Sequence, residues 1–312
     1  MKKNILVAGG AGFIGSHLCK TLLEKHNKVF CLDNLSTGRK ENIEKLLPNP
    51  DFKFLKKDVC LPINLKTCEI YHLASPASPP HYQKDPIGTF KANVLGTMNL
   101  LNLARKNKAK FLFASTSEIY GDPLVHPQPE SYWGNVNSIG VRSCYDESKR
   151  AGETLCADYF RVYGVEAKII RIFNTYGPNM DPKDGRVVSN FIVQALSHKP
   201  ITIYGSGRQT RSFQYISDLI TGIVKMMSVK NFNGPVNLGN PNEFTVAKLA
   251  QLVLRQTESK SKVVYKSLPE DDPRQRKPNI ALAKKKLNWQ AKISLEKGLI
   301  ETIKYFKLQV NI

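Results

Sequence analysis

No stretch of this 312-residue chain stays apolar for the ~18 residues that a membrane-spanning helix needs, so no membrane partner is expected. The opening "MKKNILVAGG" starts basic, but its short apolar run ends in glycines that have another use, and it does not read as a signal peptide. Cysteine is sparse. The six cysteines (19, 31, 60, 68, 144 and 156) show no CxxC spacing, and several fall inside apolar runs. That argues against a zinc site, so no metal is expected. Buried free thiols in a reducing compartment, the cytoplasm, are expected instead. Acidic residues are outnumbered, 26 against 46 lysines and arginines, which leaves a net charge of +20. The lysines are spread along the chain, with only short clusters such as 283–287, and no aromatic-interleaved basic motif accompanies them. A solvated, lysine-rich surface is expected rather than a nucleic-acid face. The sequence also has no internal repeat and no low-complexity segment.

What is present is an ordered alternation. A hydrophobic fraction of 41% can fill a normal core, in one large domain or two modest ones. Apolar, β-branched runs at 4–10, 28–34, 52–58, 69–75, 110–116 and 167–173 are continuous, as buried strands covered on both faces should be. Helical stretches lie between several of them. The stretch 85–106 opens with Asp85 in position to cap and Pro86 at the first helical position. This rhythm predicts an α/β fold, a doubly wound parallel sheet of the Rossmann type. After about residue 175 the rhythm loosens and Gly, Pro and Asn increase. The expected division is a dinucleotide-binding domain over 1–174, with a return segment near 213–240, and a smaller lobe drawn mainly from 175–312.

The first strand runs into "VAGGAGFIGSH", which places Gly9, Gly12 and Gly15 at a strand-to-helix turn, with Phe13 and Ile14 between the last two. Glycine there lets the backbone approach a pyrophosphate, whose charge then meets the helix N-terminus. The second strand ends in Asp33, where a carboxylate accepts hydrogen bonds from ribose hydroxyls and repels a 2′-phosphate. The expected cofactor is therefore NAD rather than NADP. Asp58 ends the third strand; it either reaches the adenine or only caps its own strand. Asn34, Thr37, Gly38, Val59, Leu73 and Ser75 complete the expected cofactor wall.

In "SCYDESK" (143–149), Tyr145 and Lys149 are four residues apart and so share one face of a helix. Oxidising an alcohol with NAD requires a group to accept the hydroxyl proton. A phenol, with a reference pKa near 10, does this poorly unless a cation stabilises the phenolate. An ammonium one turn away supplies that cation.

With the glycine turn, Asp33, "STSEIYG" (115–121), Tyr145 and Lys149 in hand, the chain resembles the extended short-chain dehydrogenase/reductase family, which works on nucleotide sugars. The segments 72–86, 120–137, 171–180, 184–192, 204–219 and 271–280 are similar to its UDP-glucuronate decarboxylase branch, and the resemblance covers essentially the whole chain. It implies oxidation of UDP-glucuronate at C4, loss of carbon dioxide from the resulting β-keto acid, and re-reduction to UDP-xylose. The 4,6-dehydratase relatives carry an Asp–Glu pair where this chain has Ser117 and Glu118. A substrate with a C6 carboxylate does not need the missing acid, and the 4-epimerase relatives lack the glutamate.

The resemblance also assigns roles. Tyr145 is the C4 base, tuned by Lys149; Thr116 and Ser117 bond the sugar hydroxyls or carboxylate; Glu118 orients substrate and helps move a proton. Arg276 meets the substrate carboxylate, for which a guanidinium fork is suited, although by itself it reads more readily as a surface charge in a charged loop. Asn174, Arg186, Tyr204 and Arg211 hold the UDP moiety, and Lys91 and Thr175 lie near the cofactor or the neighbouring substrate. The prolines at 76, 79 and 80 imply a rigid loop over the active site. Ser148 stands where the family often has glycine, and 137–143 lacks prolines often seen there; neither change touches a reacting group. Members of the branch that carry a membrane anchor have it before the first strand, where this chain begins, so a Golgi-type location is not expected. The family's dimers pair two helices from each subunit, here 85–106 and 145–163, with Phe90, Val94, Met98 and Leu101 as an apolar stripe, so a homodimer is expected. Rival readings are a decarboxylase that releases the 4-keto pentose or forms an apiose, a 4-epimerase, and a non-catalytic NAD-binding sensor.

Overall fold

The six apolar runs become the strands β1 (Asn4–Ala8), β2 (Lys28–Asp33), β3 (Phe52–Lys56), β4 (Glu69–His72), β5 (Lys110–Thr116) and β6 (Ala167–Ile172). The structure is a computed structural model and describes residues 2–268 and 275–310. Asp271 to Arg274, the front of the 271–280 motif, lie outside the described residues. A seventh strand, Val236–Leu238, joins from far downstream, and the sheet runs β3-β2-β1-β4-β5-β6 and then this returning strand. Every neighbouring pair is parallel. The strand order reverses direction between β1 and β4, and a crevice opens at their carboxyl ends.

β1, β2, β4, β5 and β6 are buried along nearly their whole length, as the continuous apolar runs predict. β3 differs from the expectation: only Phe52 is buried, while Lys53 and Lys56 are exposed. It is the edge strand, with one neighbour and incomplete cover, and lysines there discourage pairing with another chain.

Helices cover both faces. On one side α1 (Phe13–Glu24) and α6 (Ile216–Ser228), with the later and shorter α8 (Ala281–Leu287), bury Leu18, Leu22, Leu219, Ile223 and Leu287 against Ile5 and Val7. On the other, α3 (Pro86–Asn107) and α4 (Ser143–Tyr163) bury Leu100, Leu101, Ala104 and Cys156 against Leu6, Ile70 and Phe111. α3 begins as the sequence predicts: Pro86 is at its first position, and Asp85 accepts a hydrogen bond of 2.9 Å from the Gly88 amide. The apolar stripe on α3 divides. Leu101 turns to the core, whereas Phe90 and Met98 remain 43% and 37% exposed.

The prolines at 79 and 80 do not extend a loop. They occupy the first turn of a short helix, α2 (Pro79–Lys84), where a missing N–H costs nothing and the fixed φ fits. A third apolar cluster forms where α5 (Val187–Leu196), α7 (Val246–Thr257) and α9 (Leu295–Gln309) gather Phe191, Leu249, Val253, Leu299 and Phe306. Gln275–Arg276 pairs in parallel with the strand Thr210–Ser212, placing Arg276 beside Arg211. This pairing carries a residue from near the end of the chain to the mouth of the crevice.

Candidate active site

The glycine turn closes tightly on its neighbours. Gly9 has φ +79°, and a Cβ there would stand 2.6 Å from the Ala74 amide nitrogen. α1 then starts at Phe13 behind an extended Gly12 that offers no side-chain cap, so the first amides of the helix are left for an anion. Asp33 sits at the end of β2, 7% exposed. Its Oδ2 accepts from the Ala11 amide at 3.0 Å and its Oδ1 from the Leu35 amide at 2.8 Å. Burial raises this carboxyl, and the two amides oppose the rise. Gly38 is required beside it, because a Cβ there would meet Asp33 Oδ1 at 2.6 Å. A turn of bare amides followed by a fixed, ribose-height carboxylate fits a dinucleotide. Asn34, Gly38, Asp58 and Val59 line the adenosine end with Asp33. Asp58 also does what a strand-capping residue does: it accepts from the Cys60 amide and from the Asn34 side chain, each at 2.8 Å.

This end opens into a cleft of about 660 Å³. Gly9, Gly12, Phe13, Ile14 and Gly15 form one wall, with Thr37, Leu73 and Ser75 beside them. Thr116, Ser117, Glu118, Tyr145 and Lys149 form the floor, and Asn174, Thr175, Arg186, Tyr204, Arg211 and Arg276 come from the far side. Lys91 is the exception among the expected residues. It is exposed on α3, lies close enough to Cys60 to bear on its thiol, and does not reach the cleft wall.

Tyr145 and Lys149 lie on the first turns of α4, buried behind β5. Lys149 Nζ donates to the Ala114 carbonyl at 2.9 Å and stands 5.8 Å from the centre of the Tyr145 ring. Burial pushes the phenol up, and a hydrogen bond with Thr116 opposes it. Burial also pulls the Lys149 ammonium down to about 7. Burial, rather than the ammonium, is the largest influence on the phenol. The ring is held flat under Tyr82 of α2. His72 lies further back, its Nε2 3.1 Å from Thr97 Oγ1; burial and then the Lys149 charge lower it to about 3, which keeps it neutral.

Glu118 is the centre of charge. It follows β5 in a 3-10 turn capped by Thr116 Oγ1, which accepts from the Glu118 amide at 3.2 Å. One of its oxygens meets Arg276 Nη1 and the other Arg142 Nη2. Burial alone would raise this carboxyl, but Arg276 and then Arg142 overcome it and hold Glu118 below the usual carboxylate range. Arg276, 2% exposed, also donates to Gly121 O at 2.8 Å and to Ser117 Oγ at 3.4 Å, while its Nε is buried without a partner. Arg276 is thus a buried participant in the site rather than a charge in a polar loop. Asp146, next to Tyr145, is raised to about 7 by burial and by the Glu118 charge.

Among the other expected residues, Arg186 makes two bonds of 2.6 Å to Asp184, and Arg211 donates to its neighbour Thr210 O at 2.9 Å. Tyr204 stands 43% exposed at the rim, and Thr175 Oγ1 accepts from Gln214 at 3.0 Å. Ser148 is not neutral here: it donates to Cys144 O at 2.6 Å and accepts from Asn93 at 2.9 Å, tying α4 to α3 beneath Tyr145. Reasoning from sequence passed over Arg142 and Tyr82. Arg142 was visible as the cation one turn ahead of Tyr145. For Tyr82 no local signal existed, because its place depends on the turn of helix that the prolines begin.

Comparison with known proteins agrees with this geometry. Residues 5–239 match the NAD dependent epimerase/dehydratase family. The chain is 53% identical over 306 residues to UDP-glucuronic acid decarboxylase 1 of Arabidopsis thaliana, covering 98% of this chain and 70% of that protein. It is 50% identical over 310 residues to UDP-glucuronic acid decarboxylase 1 of Xenopus tropicalis, covering 99% and 73%. Among solved structures, UDP-glucuronic acid 4-epimerase from Bacillus cereus, in complex with UDP-glucuronic acid and NAD, superposes with a TM-score of 0.90 at 30% identity, covering 98% of this chain and 99% of that one.

Proposed function

The chain belongs to the NAD dependent epimerase/dehydratase family, and from that premise we propose that it is an NAD-dependent enzyme that converts UDP-glucuronate to UDP-xylose and carbon dioxide. The observation that carries the reading is the Arg276–Glu118–Arg142 cluster beside Tyr145 and Thr116 in the cleft. Bound NAD supplies a hydride acceptor at the sugar C4 and later returns the hydride. The rest belongs to the chain's own groups. Tyr145 takes the C4 hydroxyl proton, with Thr116 as its hydrogen-bond neighbour. The substrate carboxylate replaces Glu118 as a partner of the Arg276 fork, which fixes the carboxylate and leaves its C–C bond free to break. The carbon dioxide departs without the bonding electrons, which spread onto the C4 oxygen. Tyr145, which by then carries the proton taken from the C4 hydroxyl, donates a hydrogen bond to that oxyanion. C5 then gains a proton, so each turnover consumes one proton from solution, and Glu118, set free from Arg276, helps to deliver it.

A 4-epimerase reading shares the oxidation and draws on the likeness to the Bacillus cereus enzyme, but that protein is 30% identical whereas the decarboxylases are at 50–53%. One incubation separates them. With UDP-glucuronate and NAD, the protein is expected to release carbon dioxide stoichiometrically and to form UDP-xylose, identified by mass and NMR. A product that retains its carboxylate at unchanged mass would point to epimerisation.

The same proposal includes a homodimer, formed through the apolar face that Ile87, Phe90, Leu95 and Met98 of α3 and Phe160 of α4 leave exposed. It also includes a cytoplasmic location, supported by six free cysteines.

A further inference from the structure

The segment after β2 carries a cation that the cofactor reading has not used. Arg39 lines the cleft beside Gly12, Phe13 and Thr37. Its backbone amide donates to the Ala11 carbonyl at 3.0 Å, and Asn42 Nδ2 donates to the same carbonyl at 3.0 Å, so both residues are fastened to the glycine turn itself. Towards α9, Arg39 Nη2 donates to Gln309 Oε1 at 2.9 Å, and Tyr305 of α9 also hydrogen-bonds the guanidinium. These partners are neutral. The nearest carboxylate, Glu41, is 3.6 Å from Nε on a side chain 67% exposed, where pairing is weak. Arg39 Nη1 and Asn42 Oδ1 are both buried without a hydrogen-bond partner. The spare donor on Arg39 is costly unless an acceptor satisfies it.

The cofactor has a group that fits. A pyrophosphate brings two negative charges to the start of α1, where bare amides supply hydrogen bonds but no full positive charge. Three other arginines of the cleft already face carboxylates: Arg186 is forked onto Asp184, and Arg276 and Arg142 meet Glu118. Resting on the reading that this cleft takes NAD, we propose that Arg39 turns from α9 into the cleft and binds the cofactor's pyrophosphate, with Asn42 fixing the turn that carries it. A charged fork on phosphate oxygens is the stronger bond, so the exchange of a neutral amide for an anion favours the bound state.

The test compares ligands that differ only in phosphate. Calorimetric titration of the full chain with ADP, and ligand-observed NMR with adenosine, are run on the unaltered protein, R39Q and R39K. The R39Q protein is expected to bind ADP at least ~10-fold more weakly, the cost of one charge-assisted hydrogen bond, and adenosine within about 2-fold of the unaltered protein; R39K should recover part of the ADP affinity. Thermal melting monitored by circular dichroism checks that each variant is folded, and the R39K comparison stands if R39Q is not. Equal ADP affinity in R39Q and the unaltered protein, or an equal loss of adenosine, would overturn the assignment of Arg39 alone. An unaltered protein that binds neither NAD nor ADP would overturn the cofactor reading itself.

Discussion

Tyr82 lies flat against Tyr145, with ring centroids 5.1 Å apart and planes 7° from parallel. The contact joins α2 to the first turn of α4, so the proposed base is braced by a residue from the proline-started helix. Tyr82 is 1% exposed and its hydroxyl has no partner. Tyr82→Ala should therefore cost about 3 kcal/mol of stability in urea unfolding, typical of truncating a buried aromatic, and should lower kcat by releasing the Tyr145 ring. Tyr82→Phe should leave stability unchanged or slightly raised, because it removes only an unsatisfied hydroxyl.

Tyr145→Phe should retain NAD and lose turnover by at least the ~10²–10⁴-fold typical of a removed general base. Arg276→Ala should also leave cofactor binding intact, while turnover of UDP-glucuronate collapses. Single-turnover assays on UDP-glucuronate, followed by NADH absorbance, separate the two variants. The tyrosine variant should show no transient reduction. Normal carbon dioxide release by Tyr145→Phe would remove Tyr145 from the chemistry, and stoichiometric NADH with a 4-keto pentose from the unaltered protein would remove the final reduction.

Asp33 is fixed by two amides and faces the ribose end of the cofactor cleft. Asp33→Ala should raise the Kd for NAD and narrow its advantage over NADP. Fluorescence titration of both cofactors measures this, and equal affinity for the two in the unaltered protein would contradict the role.

His72 gives a pH dependence with a definite sign. Folding lowers it from 6.5 to about 3, through burial first and Lys149 second. Between pH 6.5 and 3 the unfolded chain binds a proton at this residue that the folded protein does not, so stability falls as the pH falls through that window. The slope due to this group reaches at most ~1.4 kcal/mol per pH unit, and above pH 6.5 the effect vanishes. His72→Phe should flatten the acid side of the stability curve relative to the unaltered protein. Parallel curves would show that the group does not titrate as described.

For the dimer, the Phe90→Glu, Met98→Glu double substitution places charges on the exposed face of α3 without touching the core. Sedimentation at micromolar concentration should show a dimer for the unaltered chain and a monomer for the variant. A monomer in both cases would leave the exposed face unexplained.

The parts of the fold that rest on local chemistry were legible in the sequence. Strands covered on both faces announce themselves as unbroken apolar runs, and Asp85–Pro86 marked the start of α3. The same pattern misled at β3, where Lys53 and Lys56 interrupt the apolar run, one on each face of the strand. The prolines before Tyr82 were read as helix-breaking, although the first turn of a helix accepts them. In the site, spacing along one element revealed Tyr145 with Lys149. The electrostatics were not legible, because they depend on burial and on partners distant in sequence. That Lys149 is pulled toward neutrality, or that Glu118 is held between Arg142 and Arg276, follows only once three separate segments are packed together.

Arg276 reaches Glu118 across a sequence separation of 158 residues. This gives the protein an order of assembly during synthesis. The glycine turn, Asp33, Tyr145 and Lys149 all emerge from the ribosome in the first half of the chain, long before the residue that meets Glu118. A nascent chain that stops short of residue 275 would have most of a cofactor crevice and a tyrosine poised beside it, but would lack Arg276, the largest of the charges that compensate Glu118. On the role proposed for Arg276, chemistry on the sugar becomes available only near the end of translation, and loss of the distal segment should silence turnover while leaving much of the cofactor-binding surface formed.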